Sequence, residues 1–229
     1  MKASRFIKMI VWLFSLLLTN TSMANQVLNN IPENYNKASK FVFYSHGFIV
    51  EGDNPMPIET KHGWGVYDFP GIKQALSDAR YTLVATHRKK NTDPFVYAKQ
   101  LSEDIRSLVK NGVKPTHITL VGFSRGAFIT GLTSHYLQDI GVNTILLAGC
   151  GRLISSKHSD IQVYGDVLSV YEKSDAAKSC AKLKAKSTAL TSFEEIEINT
   201  GLSHGAFYTP SDEWLVPVKN WIAAKMNLG

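Results

Sequence analysis

The run GFSRG at residues 122–126 contains the side chain best suited to nucleophilic chemistry. Its serine, Ser124, directly follows the apolar stretch 117–123 and directly precedes a helical pattern over 125–140. A serine at a sharp strand-to-helix turn needs strained backbone angles, and glycines on either side avoid collisions with the strand and the helix. The amides of the following helix N-terminus favour developing negative charge. We therefore predict that Ser124 is a nucleophile; the alternative is a purely structural turn.

A serine nucleophile needs a base, and in this arrangement the base comes later in the chain. His204 fits best, because it lies in a loop after the last predicted strand and just before a C-terminal helix. His135 and His158 also follow the nucleophile. His135 lies within the helix that Ser124 begins, and His158 lies in a polar connection with no strand immediately before it. We predict His204 as the base.

The base in turn needs an acid that orients its ring. Asp175 comes shortly after the predicted strand 167–171, in a loop that should face the same edge of the sheet as Ser124. Glu172, one residue past that strand, is the second candidate. Asp175 could instead be the N-cap of a helix that starts at Ala176. We predict Asp175 as the acid.

Two backbone amides should stabilise the oxyanion of a tetrahedral intermediate. One is the amide of Arg125, directly after the nucleophile. The second should come from the turn that follows the first predicted strand, where Phe48, with Ile49 as an alternative, is the expected donor. His46 in the same turn is interpreted as a structural residue rather than a base.

Short β-rich runs alternate with helical patterns along the chain, which indicates a parallel sheet with crossover helices. The sequence predicts six strands, at 41–45, 81–86, 117–123, 144–148, 167–171 and 193–198. It predicts helices at 68–79, from Pro94 to the Asn111-Gly112 stop, at 125–140 and at 212–226. No internal repeat or domain boundary is visible, so residues 25–229 are expected to form a single domain.

The segment 49–67 is long, rich in proline and glycine, and without a clear period. Such connections are often functional, and this one leaves the carboxyl end of the first strand, where parallel sheets place their ligands. We expect it to shape a substrate pocket, with Glu51 and Trp64 contacting the substrate. Asp53 and His62 lie in the same segment.

Taken together, the His46-Gly47 turn, the GFSRG run, Asp175 and His204 resemble the α/β-hydrolase superfamily in type and order over residues 38–227. The resemblance implies an α/β-hydrolase fold that acts through an acyl-enzyme without a metal or organic cofactor. Residues 25–40 leave little room for the strands that usually open this fold, so a sheet of about six strands is expected. The segment 149–166 is too short for a large cap. An open site is therefore expected, unless residues 49–67 cover it.

Residues 1–24 match a secretory signal peptide, with Lys2, Arg5 and Lys8 before a short apolar core and a small-residue cleavage site ending at Ala24. A core of about ten apolar residues is too short for a membrane span, which needs ~20. Export to the periplasm or the medium is therefore expected. In such a protein Cys150 and Cys180 are expected to form a disulfide, although two separate buried thiols are possible.

The whole sequence has 25 Lys and Arg and 19 Asp and Glu, and the predicted signal accounts for three of the basic residues, leaving a net charge of +3. No basic stripe interleaved with aromatics indicates nucleic-acid binding. The run Arg88-Lys89-Lys90 is interpreted as solvated surface, and the two cysteines lack the spacing of a metal site. No membrane span is expected after signal removal.

The residues favour a serine hydrolase that cleaves a carboxylic ester of a small or lipid-like substrate. An acyltransferase or lipase-like enzyme would use the same three side chains, since water and alcohol compete for the same acyl-enzyme. A non-catalytic binding protein on the same fold is the alternative from another class. The sequence defines neither the substrate nor the oligomeric state.

Overall fold

The computed structural model describes residues 26–227, which form a parallel sheet covered by helices on both faces. Seven strands lie side by side in the order β1-β5-β2-β6-β7-β8-β9, and every neighbouring pair is parallel. These strands are β1 (Gln26–Leu28), β2 (Phe41–Ser45), β5 (Thr82–Val84), β6 (Ile118–Phe123), β7 (Asn143–Leu147), β8 (Gly165–Glu172) and β9 (Leu190–Ile198). A separate two-stranded antiparallel hairpin consists of β3 (Ile58–Glu59) and β4 (Gly65–Val66).

The α-helices connect or follow the strands of the sheet. They are α1 (Phe69–Leu76), α2 (Pro94–Lys110), α3 (Arg125–Tyr136), α4 (Cys150–Leu153), α5 (Ala181–Lys186) and α6 (Asp212–Lys225). Short 3-10 turns cover Phe48–Val50, Pro115–His117, Ser156–His158 and Ser203–Phe207. The start of α2 follows from local chemistry, because Asp93 accepts hydrogen bonds from the amides of Phe95 and Val96 and proline occupies the first turn.

Side chains alternate between the two faces of the sheet and build a core on each side. On one face Val42, Leu83, Val121 and other strand residues pack against α1 and α6, with Trp214 of α6 fully buried. On the opposite face, two further clusters pack the sheet against α2 and α3. This layering confirms the predicted α/β class, with helices on both faces and no large cap.

The predicted strands and long helices agree with the structure to within a few residues. The sheet has one more strand than expected, because β1 pairs with β5 at one edge and lies in the segment that seemed too short to contribute. The hairpin within the segment 49–67 was also not predicted. The region after Asp175 differs too: α5 begins at Ala181, so Asp175 is not the N-cap of a helix starting at Ala176.

The predicted cysteine pair is confirmed as a disulfide between Cys150 and Cys180, and both residues are buried. A closed loop of about 30 residues is typically worth about 2–4 kcal/mol of stability. Within residues 26–227, no helix combines the length and apolar character needed to cross a membrane. The predicted signal peptide, residues 1–24, lies outside the described residues.

Candidate active site

Ser124 lies between β6 and α3 with φ 56° and ψ −115°, a backbone conformation that L-residues rarely adopt. Glycine is needed at the neighbouring positions 122 and 126 because neither has room for a side chain. A Cβ on Gly122 would collide with the carbonyl of Gly126 and the hydroxyl of Thr130, and a Cβ on Gly126 would collide with the carbonyl of Ser45. The run GFSRG therefore forms the sharp strand-to-helix turn that the sequence predicts.

His204 and Asp175 are hydrogen-bonded, with 2.6 Å between His204 Nδ1 and Asp175 Oδ2. Asp175 is 3 % exposed, and its other carboxylate oxygen accepts from the amide of Ala177 at 3.0 Å. The His204 ring contacts two aromatic rings, 4.8 Å from that of Phe123 and 5.3 Å from that of Trp64, centroid to centroid. The ring is therefore held by an acid on one nitrogen and by contacts with these two rings.

Glu172, the second candidate for the acid, bonds to backbone and to a serine instead of a histidine. Its fully buried carboxylate accepts from the amide and hydroxyl of Ser174 on one side, and from the amides of Thr200 and Gly201 on the other. Burial would raise the pKa of this carboxyl, but these four hydrogen bonds together lower it. Glu172 thereby ties the loop that carries Asp175 to the loop that carries His204.

Two cavities meet at Ser124 and His204. The larger, of about 550 Å³, is lined by Phe48, Trp64, Arg125 and Asp175, together with small residues and Arg152. The smaller, of about 230 Å³, has an aromatic lining. Within residues 26–227, Ser124 and His204 share both cavities, but no hydrogen bond of standard geometry joins them.

The amides of Phe48 and Arg125 each begin a helical turn. Phe48 is the first residue of a 3-10 turn, and Arg125 is the first residue of α3. Amides at these positions have no partner within their own helix, so they are available to an acceptor outside it. Tyr67 fixes the turn before Phe48, since its hydroxyl accepts from the amide of Gly47 at 3.3 Å and lies 2.8 Å from the Tyr44 hydroxyl.

Glu51 does not line either cavity; it lies behind the site in a buried ion-pair cluster. Its side chain is 1 % exposed, and its Oε1 lies 3.1 Å from Arg125 Nε and 3.5 Å from Arg88 Nε. Arg125 also donates to the carbonyl of Thr92 and stacks on the Phe48 ring. Glu51 therefore contacts the site through Arg125.

The interpretation of the run Arg88-Lys89-Lys90 as solvated surface is wrong for its first residue. Arg88 is 2 % exposed, pairs with Glu51 and donates to the carbonyl of His46. The available signal was position, because Arg88 follows β5 at the carboxyl edge of the sheet, where buried polar residues support ligand sites.

His46 is fully buried and holds the turn in a neutral form. Its Nδ1 donates to the carbonyl of Gly47 at 2.8 Å, and its Nε2 accepts from the amide of Arg88 at 2.9 Å. A second ring proton would point at the Arg88 amide. Burial, followed by the charge of Arg88, lowers the pKa of His46 from 6.5 to about 2.

We expect this buried histidine to make the protein lose stability in mild acid. Below pH 6.5 His46 becomes protonated in the unfolded chain. In the folded chain it stays neutral until the pH approaches about 2, because its pKa is lowered. The free energy of unfolding should therefore fall by up to about 1.4 kcal/mol per pH unit from this group alone. Urea unfolding between pH 7 and pH 4 measures the slope, and His46→Gln should reduce it by that amount.

An equal slope in wild type and His46→Gln would contradict the assignment of a neutral buried His46.

The two other candidate bases lie elsewhere. His135 and His158 line a separate surface cavity with Phe95, Tyr136 and Lys157. The histidine that shares cavities with Ser124 is His204, as the order of elements predicts. In the described part of the chain, no group of three or more His, Cys, Asp and Glu residues could hold a metal ion.

Trp64 borders both cavities and lies in the loop between β3 and β4, directly before β4. Its ring stacks on that of His62 at 4.5 Å, and a Cβ on Gly205 would crowd it. The segment 49–67 thus contributes one wall beside His204 and does not form a separate cap domain.

The disulfide joins two walls of the larger cavity. Cys150 lies between Gly149 and Gly151, which line that cavity, and Cys180 closes the loop that begins with Asp175, Ala176 and Ala177. Glu195 of β9 fixes the same loop, because its carboxylate accepts from the amide of Cys180 and the hydroxyl of Ser179. The disulfide and Glu195 therefore brace this part of the cavity wall.

Comparison with protein-family models and with curated protein sequences finds no match. Solved structures do match. EstE7, an HSL-homolog from a metagenome library, superposes with a TM-score of 0.55 at 14 % identity, over 84 % of this chain and 80 % of that one. A predicted CIB-like hydrolase from Thermoplasma acidophilum gives 0.53 at 14 % identity, over 83 % and 89 %.

A third structure, SOBER1 from Arabidopsis thaliana, gives a TM-score of 0.50 at 14 % identity, over 82 % of this chain and 99 % of that one. The chain has the α/β-hydrolase fold. In this α/β-hydrolase fold, Ser124, Asp175 and His204 all lie at the carboxyl ends of strands, on loops after β6, β8 and β9. Identities this low define the fold and leave the chemistry to be argued from the site.

Proposed function

We propose that the protein is a serine hydrolase that cleaves a carboxylic ester, or a related acyl bond, through Ser124, His204 and Asp175. The observation that carries the proposal is the 2.6 Å hydrogen bond between His204 and Asp175 at the edge of the cavities that Ser124 lines. An acid on one ring nitrogen leaves the other nitrogen free to accept a proton from a hydroxyl.

The proposed reaction begins with attack of Ser124 Oγ on the acyl carbonyl. His204 Nε2 takes the hydroxyl proton, and Asp175 stabilises the resulting imidazolium. The amides of Phe48 and Arg125 donate to the oxyanion. The tetrahedral intermediate then expels the alcohol, which receives the proton from His204. Water, activated by the same histidine, hydrolyses the acyl-enzyme and restores Ser124.

For this reaction the Ser124 hydroxyl and the His204 ring must come within hydrogen-bond distance, because the structure of residues 26–227 shows no hydrogen bond between them. Catalytic hydrogen bonds are often loose before substrate binds. A substrate that fills both cavities would exclude solvent from the surroundings of the two side chains. The division into about 550 Å³ and about 230 Å³ supports one large and one small substrate part.

The neighbouring residues have supporting roles in this proposal. Trp64 contacts substrate in both cavities and holds the His204 ring. Glu51 positions Arg125, and so the amide of that residue, instead of contacting substrate as the sequence suggested.

We further propose that the enzyme works outside the cytoplasm, after removal of residues 1–24 as a signal peptide. The Cys150–Cys180 disulfide supports an oxidising compartment.

A fluorophosphonate probe tests the proposed activity, because it forms a covalent adduct only with an activated serine. The wild-type protein should be labelled, and peptide mass spectrometry should place the adduct on Ser124. Denatured protein is the control and should remain unlabelled. If folded protein stays unlabelled, or if the adduct lies on another serine, the proposed function is overturned and a non-catalytic binding protein becomes the better explanation.

A further inference from the structure

Arg152 carries a positive charge at the larger cavity that no acid of the described chain neutralises. It belongs to the short helix α4, is exposed, and lines the cavity with Ser124 and His204. Within residues 26–227, no carboxylate lies within salt-bridge distance of its guanidinium. The group packs over the ring of Phe128, with 4.6 Å from Cζ to the ring centroid. That packing restricts the side chain and leaves the edge of its guanidinium fork available.

The other charges around the cavity are already paired. Asp175, the acid that lines it, is hydrogen-bonded to His204 and to the amide of Ala177. Arg125 is paired with Glu51, which it shares with the buried Arg88. One carboxylate, that of Glu51, is thus shared by two guanidinium groups behind the cavity.

The rest of the larger cavity consists of small or apolar residues. Its walls include Ala148, Gly149, Gly151, Ala176 and Ala177. A substrate part against these five residues meets no side-chain hydrogen-bonding group, and Arg152 lines the same cavity. The best complement is an apolar chain that ends in an anion, since a guanidinium fork matches the two oxygens of a carboxylate.

We propose that Arg152 binds a carboxylate carried by the substrate, so that the preferred substrates are negatively charged esters. This inference rests on the proposed function, because it assigns a substrate class to the same site. The carboxylate can be carried by the acyl part, as in a monoester of a dicarboxylic acid, or by the alcohol part, as in an ester of a hydroxy acid.

The test compares charged and neutral esters in wild type and variants. The panel contains p-nitrophenyl monoesters of adipic and suberic acid, with the charge on the acyl part, and 4-carboxyphenyl hexanoate, with the charge on the alcohol part. The neutral ester is p-nitrophenyl heptanoate. Because the ratio of variant to wild-type kcat/KM is taken within each ester, differences in leaving-group reactivity cancel.

Arg152→Met keeps a long apolar side chain beside Phe128 and removes the charge. It should lower kcat/KM by about tenfold for at least one charged ester, mainly through KM, and leave the neutral ester within about twofold. For the charged ester, the kcat/KM of Arg152→Lys should lie between those of the wild type and Arg152→Met, because lysine keeps the charge and loses the guanidinium fork. The matched control is Lys157→Met, which removes a positive charge outside both cavities and should change no ratio.

The inference is overturned if Arg152→Met changes kcat/KM by the same factor for charged and neutral esters. It is also overturned if Lys157→Met lowers kcat/KM for the charged esters as much as Arg152→Met does. Labelling by the fluorophosphonate probe separates this failure from that of the proposed function. A wild-type enzyme that is labelled at Ser124 and hydrolyses the neutral ester stands as a hydrolase whatever Arg152 does. A wild-type protein that is not labelled overturns both.

Discussion

Replacing Ser124 with alanine should lower kcat for ester hydrolysis by about 10⁶-fold, which is the scale of losing the nucleophile of a serine hydrolase. Without the hydroxyl no acyl-enzyme forms, and His204 and Asp175 have no nucleophile to activate. The fold should be unaffected, because Ser124 gives no side-chain cap to α3 and alanine has the same Cβ at its positive φ. Stopped assays with p-nitrophenyl esters measure kcat, and thermal unfolding checks the fold.

The control for this variant is Ser156→Ala, an exposed serine in the 3-10 turn Ser156–His158 that lines neither cavity. It should retain wild-type kcat. If Ser124→Ala keeps activity within tenfold of wild type, the nucleophile lies elsewhere and the proposed mechanism fails.

Asp175→Asn should lower kcat by about 10⁴-fold, with little change in KM. The amide can still occupy the space of the carboxylate, but it can donate a proton to His204 Nδ1 and so favour the wrong tautomer. It also cannot stabilise an imidazolium. Steady-state kinetics on a neutral ester measure the loss of kcat. The dependence of kcat on pH should also differ between Asp175→Asn and the wild type.

Glu172→Gln is the matched comparison, since it makes the same change in the second candidate for the acid. Glu172 accepts from Ser174, Thr200 and Gly201 and does not contact His204. Its loss should therefore affect stability, by about 1–3 kcal/mol for weakened buried hydrogen bonds, more than kcat. If Glu172→Gln shows the 10⁴-fold loss and Asp175→Asn does not, the assignment of the acid is wrong.

The long elements and the serine turn were predictable because they depend on local pattern. The β6 strand, the turn at Ser124 and α3 lie in one continuous stretch, and the need for glycine on both sides is a matter of backbone space. Strand ends at the carboxyl edge of a parallel sheet converge, which is why Asp175 and His204 could be expected near each other from their order alone.

The buried charge cluster was not predictable, because it depends on side chains far apart in the chain. Arg88 stands beside two lysines in a run that is typical of a solvated surface, yet it is buried against Glu51 and His46. A long side chain is buried only when distant partners satisfy it, and a single sequence does not reveal those partners. The same reason explains why Glu51 was expected to face substrate.

The edge strand β1 was missed for a different reason. A strand of three residues directly after the predicted signal peptide gives too weak a signal, and its pairing depends on β5, which lies more than 50 residues away in the chain. The hairpin of β3 and β4 is similar, because two-residue strands have no periodicity to detect. Short pairings of this kind are decided by tertiary contacts.

The sequence by itself determined the α/β order, the strained turn at Ser124 and the relation of that serine to a later acid and histidine. These depend on local sterics and on the direction of strands. The tertiary structure decided that Asp175 bonds His204 while Glu172 braces their loops, that Glu51 pairs with arginines, and that Arg152 lies at the larger cavity. Distances between loops set these roles, because a carboxylate acts on whichever donor the fold brings within about 3 Å.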